Sequence, residues 1–127
     1  MRTSPQRKFG ATVVALALVA AGCESIGVDP ASEGYKALEA GDYAKARDLF
    51  WELHIRNPDD PFVELDLADA YRGLNRMDLA EPFYRHVIEN GRSIAAPVTK
   101  NTASKDKTLA DIACTNLRQE LHEQAGC

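Results

Sequence analysis

One internal repeat constrains the fold of this chain more than any other feature of the sequence. The stretch GDYAKARDLFWELHIRNPDDP, residues 41–61, matches NRMDLAEPFYRHVIENG, residues 75–91, at a shift of 34 residues. The shift aligns small and apolar residues in pairs: Ala46 with Ala80, Leu49 with Phe83, Phe50 with Tyr84, and Leu53 with Val87. A fixed period of this size is typical of arrays in which each unit stacks on the next.

Each copy of the repeat contains two predicted helices. In both copies a small residue is followed four positions later by an aromatic residue and then, three positions on, by an aliphatic one. This spacing lines one face of an α-helix. Another amphipathic segment precedes each copy and ends near Gly41 or Asn75, and within it Gly34 matches Ala68. Each unit is therefore predicted to be two helices joined by a tight turn.

The pattern resembles the tetratricopeptide repeat, whose motif places Leu-Gly-x-x-Tyr on the first helix, Ala-x-x-x-Phe on the second and Pro at the end. The second copy supplies LADAY and AEPFY, while the first supplies ARDLF and then Pro58. Glu33, Ala37 and Arg92 depart from the motif. The repeat-core positions are Ala46, Phe50, Leu53, Leu67, Ala68, Tyr71, Ala80 and Tyr84. The resemblance implies an all-α fold, a short right-handed solenoid of two helix-turn-helix repeats over residues 30–91 with a C-terminal capping helix.

Local chemistry predicts where several helices begin. Asp60 followed by Pro61 is typical of an N-cap and first turn. Asp78 and Glu81 have the spacing of a capping box, which would put Pro82 at the start of its helix. The acidic residues near position 60 lack the loop spacing and the glycine of a calcium site, so capping is the favoured interpretation.

The N-terminus has the organisation of a secretory signal. Basic residues precede an apolar run over residues 9–21 that is too short to cross a bilayer, which takes roughly 20 residues. The following AAGC, with Ala20 where leucine is preferred, resembles the bacterial lipoprotein signal. That resemblance implies cleavage after residue 22, lipidation of Cys23, and a tether over residues 23–29. The alternative is an ordinary signal peptide, which would leave a soluble periplasmic protein.

The residue after Cys23 bears on which membrane would hold the protein. In lipoproteins of this kind an aspartate after the lipidated cysteine retains the protein at the inner membrane, whereas here that residue is Glu24. The resemblance therefore implies anchoring in the outer membrane, facing the periplasm. Removing residues 1–22 removes three of 15 basic residues and none of 19 acidic ones, which lowers the net charge from −4 to −7. Nucleic acid is an unfavourable partner for such a surface.

The C-terminal region is predicted to be a connector followed by one helix. Residues 92–107 are rich in polar residues and are interpreted as a mobile connector loop. Over residues 108–127, Thr108 and Asp111 form a predicted capping pair, and one apolar stripe follows: Leu109, Ile112, Ala113, Leu117 and Leu121. The helix is predicted to fold back over the last repeat. Docking on another protein is the alternative.

Cys114 and Cys127 leave several interpretations open. A periplasmic location permits a disulfide between them. If the helix continued to Gln124, the two cysteines would be too far apart, so an internal bridge would require it to end near Arg118. A free, buried Cys114 is the alternative, and zinc is less favoured because only His122 is near.

No catalytic motif accompanies His54, His86 or His122, and no metal site or cofactor is predicted. The expected function is binding of a protein or peptide partner rather than catalysis. In the repeat family the first helices of successive units line a groove, and the matching positions here are Tyr35, Leu38, Glu39, Phe62, Asp66, Asp69 and Arg72. Such lipoproteins serve as assembly or piloting factors of pili, secretion channels or outer-membrane complexes. A structural lipoprotein that self-associates through its repeat edges or through Cys127 is the alternative.

Overall fold

The structure, a computed structural model, describes residues 27–97, 106–121 and 127. The helices of this part of the chain are α1 (Pro30–Glu39), α2 (Tyr43–Arg56), α3 (Pro61–Gly73), α4 (Met77–Asn90) and α5 (Leu109–Leu121). Each helix packs against the next along the chain, and α3 also touches α1 and α5. The predicted all-α repeat solenoid is thus confirmed, with α1–α2 and α3–α4 as its two units.

The same kind of turn joins the two helices of each unit. Gly41 and Asn75 occupy equivalent positions and have positive φ angles of 75° and 58°. The N–H group of the next residue then donates to the carbonyl five positions back, from Asp42 to Ala37 and from Arg76 to Tyr71, each at 2.9 Å. A left-handed residue after a helix is tolerated best when it is glycine or asparagine. The repeat therefore includes the turn as well as the helices.

The core of the first unit forms around Phe50, which is 1% exposed. Its ring packs so closely on α1 that a Cβ atom at Gly34 would lie 2.7 Å from a ring carbon. Buried Ala46 and Ala37 keep the two helices close, and α3 adds Leu67. The small residues of the motif are thus required because a large aromatic ring fills the space between the helices.

The core of the second unit is shared with α5. Tyr84 and Val87 on α4 pack with the predicted stripe of α5, whose members Leu109, Ala113 and Leu117 are fully buried. Helix α3 contributes Leu65 and Ala68 here and Leu67 to the first core, so it is the central helix of the domain. The opposite side of α5 is polar and exposed. Helix α5 therefore covers the apolar edge that the last repeat would otherwise expose.

Two of the three predicted helix starts are confirmed. The Asp60 carboxylate accepts from the Phe62 N–H at 3.0 Å, and Thr108 and Asp111 exchange hydrogen bonds of 2.9 and 3.2 Å. The predicted capping box at Asp78 is wrong, because α4 begins at Met77 without a side-chain cap and contains Pro82 in its interior. The Asp78 carboxylate instead binds the Arg76 guanidinium, at 2.7 and 2.8 Å.

The two described ends of the predicted connector, 92–97 and 106–107, are hydrogen-bonded to each other and to the start of α5. The Ala96 N–H donates to the Lys107 carbonyl at 2.9 Å, and the Leu109 N–H donates to the Ile94 carbonyl at 2.9 Å. Ala96 is buried and Ile94 packs against the second core. These two apolar side chains hold the ends of the connector in place, although its composition is largely polar. The remainder of the connector lies outside the described residues.

A disulfide joins Cys114 of α5 to Cys127, with their Cα atoms 6.2 Å apart. The predicted requirement that the helix end near Arg118 is wrong, since α5 continues to Leu121. Cys114 lies seven residues before Leu121, about 10 Å along the helix axis, and six extended residues reach up to about 20 Å. The chain after Leu121 is therefore long enough to return to Cys114.

Residues 1–22 and Cys23 lie outside the described part of the chain, so the predicted signal peptide and lipidation site have no structural description. None of the helices that the structure describes combines the length and the apolar character needed to cross a membrane.

Candidate functional site

The first helix of each unit and α5 together present a continuous polar strip. Tyr35 on α1 interacts with Asp66 on α3, and Asp69 of α3 binds Asn116 of α5 at 2.9 Å. One turn further, Arg72 lies 3.6 Å from Glu120 of α5. We call this surface the first-helix face; its residues are Tyr35, Phe62, Asp66, Asp69, Arg72, Asn116 and Glu120. It crosses the domain from the first helix to the last described one.

Asp69 connects three helices at the centre of this face. Its Oδ1 atom accepts a hydrogen bond from the Tyr84 hydroxyl of α4 and another from Asn116 of α5, and the Arg72 guanidinium lies 3.4 Å away. Burial raises the pKa of the Asp69 carboxyl, while the bond from Tyr84 and the charge of Arg72 act in the opposite direction. Asp69 and Arg72 were predicted to contact a partner. Their contacts within the protein show that they also hold α3, α4 and α5 together.

Asp66 is in a different situation from Asp69. Burial raises the pKa of its carboxyl to about 7, and the negative charges of Asp69 and Asp60 raise it further. Only hydrogen bonding to Tyr35 acts to lower it. The pKa of the Tyr35 hydroxyl is itself raised by burial and by the nearby Asp66 charge. Every charged group that acts on the Asp66 carboxyl within the described chain is therefore acidic.

Two aromatic rings of this face are open to solvent. Tyr35 is 44% exposed and Phe62, one helical turn before Asp66, is 38% exposed. Glu39 is exposed as well, whereas Leu38 packs against the core of the first unit. Of the seven residues predicted to line a groove, Glu39 and Phe62 are exposed, Tyr35 is exposed but packs against the core residue Phe50, and Asp66 is partly buried. Leu38, Asp69 and Arg72 have structural contacts.

Asn116 and Glu120 belong to this face but were not among the predicted groove residues. They lie on α5, which is separated from α4 by a connector and carries no copy of the repeat motif. The sequence signal available was their position beside the apolar stripe. Asn116 lies between the buried residues Ala113 and Leu117, and Glu120 follows Leu117. That pattern identifies a polar helix face but not the helix it meets.

The histidines in the described chain have structural surroundings. His86 lies with its Nδ1 atom 2.6 Å from the carboxylate of the buried Glu64, and hydrogen bonding to Glu64 raises the pKa of His86. His54 packs between the rings of Trp51 and Phe83, with ring centroids 5.6 and 5.3 Å away. No three acidic, histidine or cysteine side chains in the described ranges come together in a way that could hold a metal ion.

A second surface lies on the second helices of the units. Trp51 is 43% exposed, Ile55 is 65% exposed and Leu79 is 36% exposed. Trp51 and Leu79 line a depression of about 340 Å³ together with Tyr71 and Leu74. The neighbouring arginines, Arg47 and Arg76, are each bound to an aspartate. We call Trp51, Ile55 and Leu79 the Trp51 patch. It is apolar with balanced charge, unlike the first-helix face.

Comparison with protein families bears directly on this geometry. The family model described as a tetratricopeptide repeat matches residues 37–95. A tetratricopeptide repeat lies within this chain. The match extends from the end of α1 through α2, α3 and α4 into the start of the connector. Comparison of the chain with curated proteins and with solved structures gave no match.

Tetratricopeptide repeats generally mediate protein–protein interaction, and an all-α fold of this kind is typically an interaction module rather than an enzyme. In this chain the first helices of the repeats carry the exposed rings of Tyr35 and Phe62. The repeat thus suggests a protein partner.

Proposed function

We propose that this protein is a membrane-anchored adaptor that binds a protein or peptide partner through its first-helix face. The observation that carries the proposal is the exposure of Tyr35 and Phe62, on the first helices of the two units, beside the carboxyl of Asp66. Aromatic residues of this kind are enriched among the side chains that anchor a partner at an interface.

The proposed location is the outer membrane, with the repeats in the periplasm and the chain held by lipid on Cys23. The apolar run and the AAGC sequence support this location. The disulfide between Cys114 and Cys127 supports it too, because disulfides persist in oxidising compartments such as the periplasm. A small adaptor held there would serve in the assembly of an envelope machine, such as a pilus, a secretion channel or an outer-membrane complex.

The binding surface is tested by photocrosslinking in the native cell. A photoreactive phenylalanine analogue replaces Phe62 in one variant and Ile55 in a matched variant. Ile55 is more exposed than Phe62 and lies on the second helix of its unit instead of the first. The adaptor function predicts a discrete crosslinked partner from position 62 and none from position 55. Equal crosslinking at both positions, or none at either, would contradict it.

The anchor is tested separately by the intact mass of the protein recovered from membranes. A chain that begins at residue 23 and carries acyl chains is expected, and Cys23→Ser should abolish both the added mass and the membrane association. An unmodified chain of the same length in the soluble fraction would instead support a soluble periplasmic adaptor.

Self-association as a structural lipoprotein is the second candidate, and the Trp51 patch is the observation that favours it. Cys127 is not available for a link between chains, because it is already bonded to Cys114. The patch itself exposes three large apolar side chains on neighbouring helices. A stable dimer in analytical ultracentrifugation that dissociates in Trp51→Ser would support this function, whereas a monomer would leave the adaptor as the better explanation.

A further inference from the structure

Five carboxylates on the outer surfaces of the domain are each paired with a cation close by in sequence. Asp48, Glu52, Asp78 and Glu81 each lie within ion-pair distance of an arginine no more than four residues away. Glu33 is paired with Lys36 on its own helix and with Lys45 on α2. Asp66 differs from all of these, since the groups that act on its carboxyl are the Tyr35 hydroxyl and two further carboxyls. The first-helix face thus holds an anionic group without a cationic partner among the described residues.

The surroundings of Asp66 fit a cation. Phe62 and Asp66 lie one helical turn apart on α3, so their side chains share a face of the helix, and Tyr35 approaches from α1. Both rings are more than a third exposed. Aromatic faces attract the ammonium group of lysine and, more often, the guanidinium group of arginine. The N-cap Asp60 adds a further negative charge that acts on Asp66.

We propose that Tyr35, Phe62 and Asp66 form a receptor for a lysine or arginine side chain on a partner polypeptide. The carboxylate would pair with the cation while the two rings cover its aliphatic stem. Since the receptor lies on the face proposed above for partner binding, it rests on that function and adds the chemical class of the partner: a segment with a basic residue beside apolar ones.

The ionisation of Asp66 supports this chemistry. A carboxyl whose pKa is raised to about 7 is partly protonated at neutral pH, and a cation bound to it favours the charged form. Binding of the basic segment should therefore release a proton and become tighter as the pH rises from 6 to 8. The groups that face Asp66 are Tyr35 from α1 and Asp60 and Asp69 from α3 itself. Asp69 is in turn bound to Arg72, Tyr84 and Asn116.

The receptor is tested by selecting random twelve-residue peptides on the full chain and measuring their affinity by calorimetry at pH 6 and pH 8. The selected peptides should contain a lysine or arginine next to apolar residues. They should bind Asp66→Asn at least tenfold more weakly, and Tyr35→Ala more weakly as well. Their affinity for the native chain should rise several-fold between the two pH values, and this rise should be absent in Asp66→Asn.

Glu52→Gln is the matched control, because it removes one negative charge from α2, away from the first-helix face. It should leave peptide affinity unchanged. Equal weakening by Glu52→Gln and Asp66→Asn would show attraction to the net charge of the protein only and would overturn the receptor. Selection of acidic or uncharged peptides, or of none, would overturn it too. In that case crosslinking from position 62 would still report separately whether the face binds a partner.

Discussion

The two repeats solve the same packing problem with different chemistry. Phe50 and Tyr84 occupy equivalent positions, and so do Tyr35 and Asp69 on the preceding helices. In the first repeat Phe50 packs edge to face on Tyr35, with ring centroids 5.5 Å apart. In the second repeat the Tyr84 hydroxyl donates to the Asp69 carboxylate. One repeat thus joins its helices by two rings, and the other joins them by a hydrogen bond.

This exchange changes what each repeat offers to a partner. The second repeat uses the Asp69 carboxylate internally, where it also binds Asn116 of the capping helix. The first repeat leaves the Tyr35 hydroxyl to face Asp66, outside the core. Polar contacts therefore join the second repeat to α5. At the junction between the repeats, the Asp66 carboxyl has no cationic partner among the described residues. We therefore expect the second repeat to be the more stable one, and the proposed receptor places binding at the junction between the repeats.

The largest effect is expected from a charge in either core. Ala80 is fully buried between α3, α4 and α5, so Ala80→Glu should cost more than about 4 kcal/mol and prevent folding. Ala46→Glu should disrupt the first repeat similarly, whereas Ala44→Glu, at an exposed position of α2, should be tolerated. Circular dichroism and urea unfolding measure all three. A folded Ala80→Glu would mean that the repeat packing is incorrectly assigned.

Loss of the disulfide should be the next largest effect and should act on the second repeat. Cys127→Ser, or reduction, opens a link between residues 13 positions apart, which is worth roughly 3 kcal/mol. Hydrogen exchange should show lost protection in α5 and α4 and retained protection in α1 and α2. Uniform loss across all helices would mean that the two repeats unfold as one unit.

Tyr84→Phe tests the hydrogen bond between Tyr84 and Asp69 directly. It removes the hydroxyl that donates to the half-buried Asp69 and should lower the free energy of unfolding by roughly 1 to 3 kcal/mol. The same change at Tyr35, whose ring is 44% exposed, should lower it by less than half as much. Urea unfolding of the two variants compares the repeats at equivalent sites. Equal losses would contradict the proposed difference between them.

Asp66→Asn should have an effect of the opposite sign. The folded-state pKa of Asp66 is about 7, above the ordinary value of 3.8, so the native state binds the proton more tightly than the unfolded state. The stability this provides is present below about pH 4 and is lost as the pH rises through 7. At pH 8, Asp66→Asn should therefore be more stable than the native chain by roughly 1 to 3 kcal/mol.

The difference in free energy of unfolding between Asp66→Asn and the native chain isolates this group, since Asp69 and His86 titrate in both proteins. The difference should grow between pH 4 and pH 8. A constant difference over that range would show that Asp66 titrates normally, and the contrast between the two repeats would then rest on Asp69 alone.

Much of the fold could be predicted from the sequence because its determinants are local. The helical spacing of small and aromatic residues, the left-handed turns at Gly41 and Asn75, and the caps at Asp60 and Thr108 depend on neighbours within a few positions. The predicted capping box at Asp78 was wrong because of another local contact. Asp78 pairs with Arg76 two residues away, and no side chain caps the start of α4.

The candidate site was predictable only in part. Residue positions on α1 and α3 follow from the repeat, so Tyr35, Phe62 and Asp66 could be named before the structure. Their environments could not, because the burial of Asp66 and its interaction with the Tyr35 hydroxyl depend on how the two units stack. The assignment of Asp69 and Arg72 to structural contacts depends on α4 and α5, which lie far along the chain.

The sequence by itself determined the helices, their pairing into repeats and the identity of the small residues that let Phe50 and Tyr84 pack. These follow from the period of the chain and from the volume available between neighbouring helices. Only the tertiary structure decided the contacts of α5, the bond between Asp69 and Asn116, the hydrogen-bonded ends of the connector and the link from Cys114 to Cys127. Each of these depends on the register of a helix that the repeat does not include, and no local preference of the chain specifies that register.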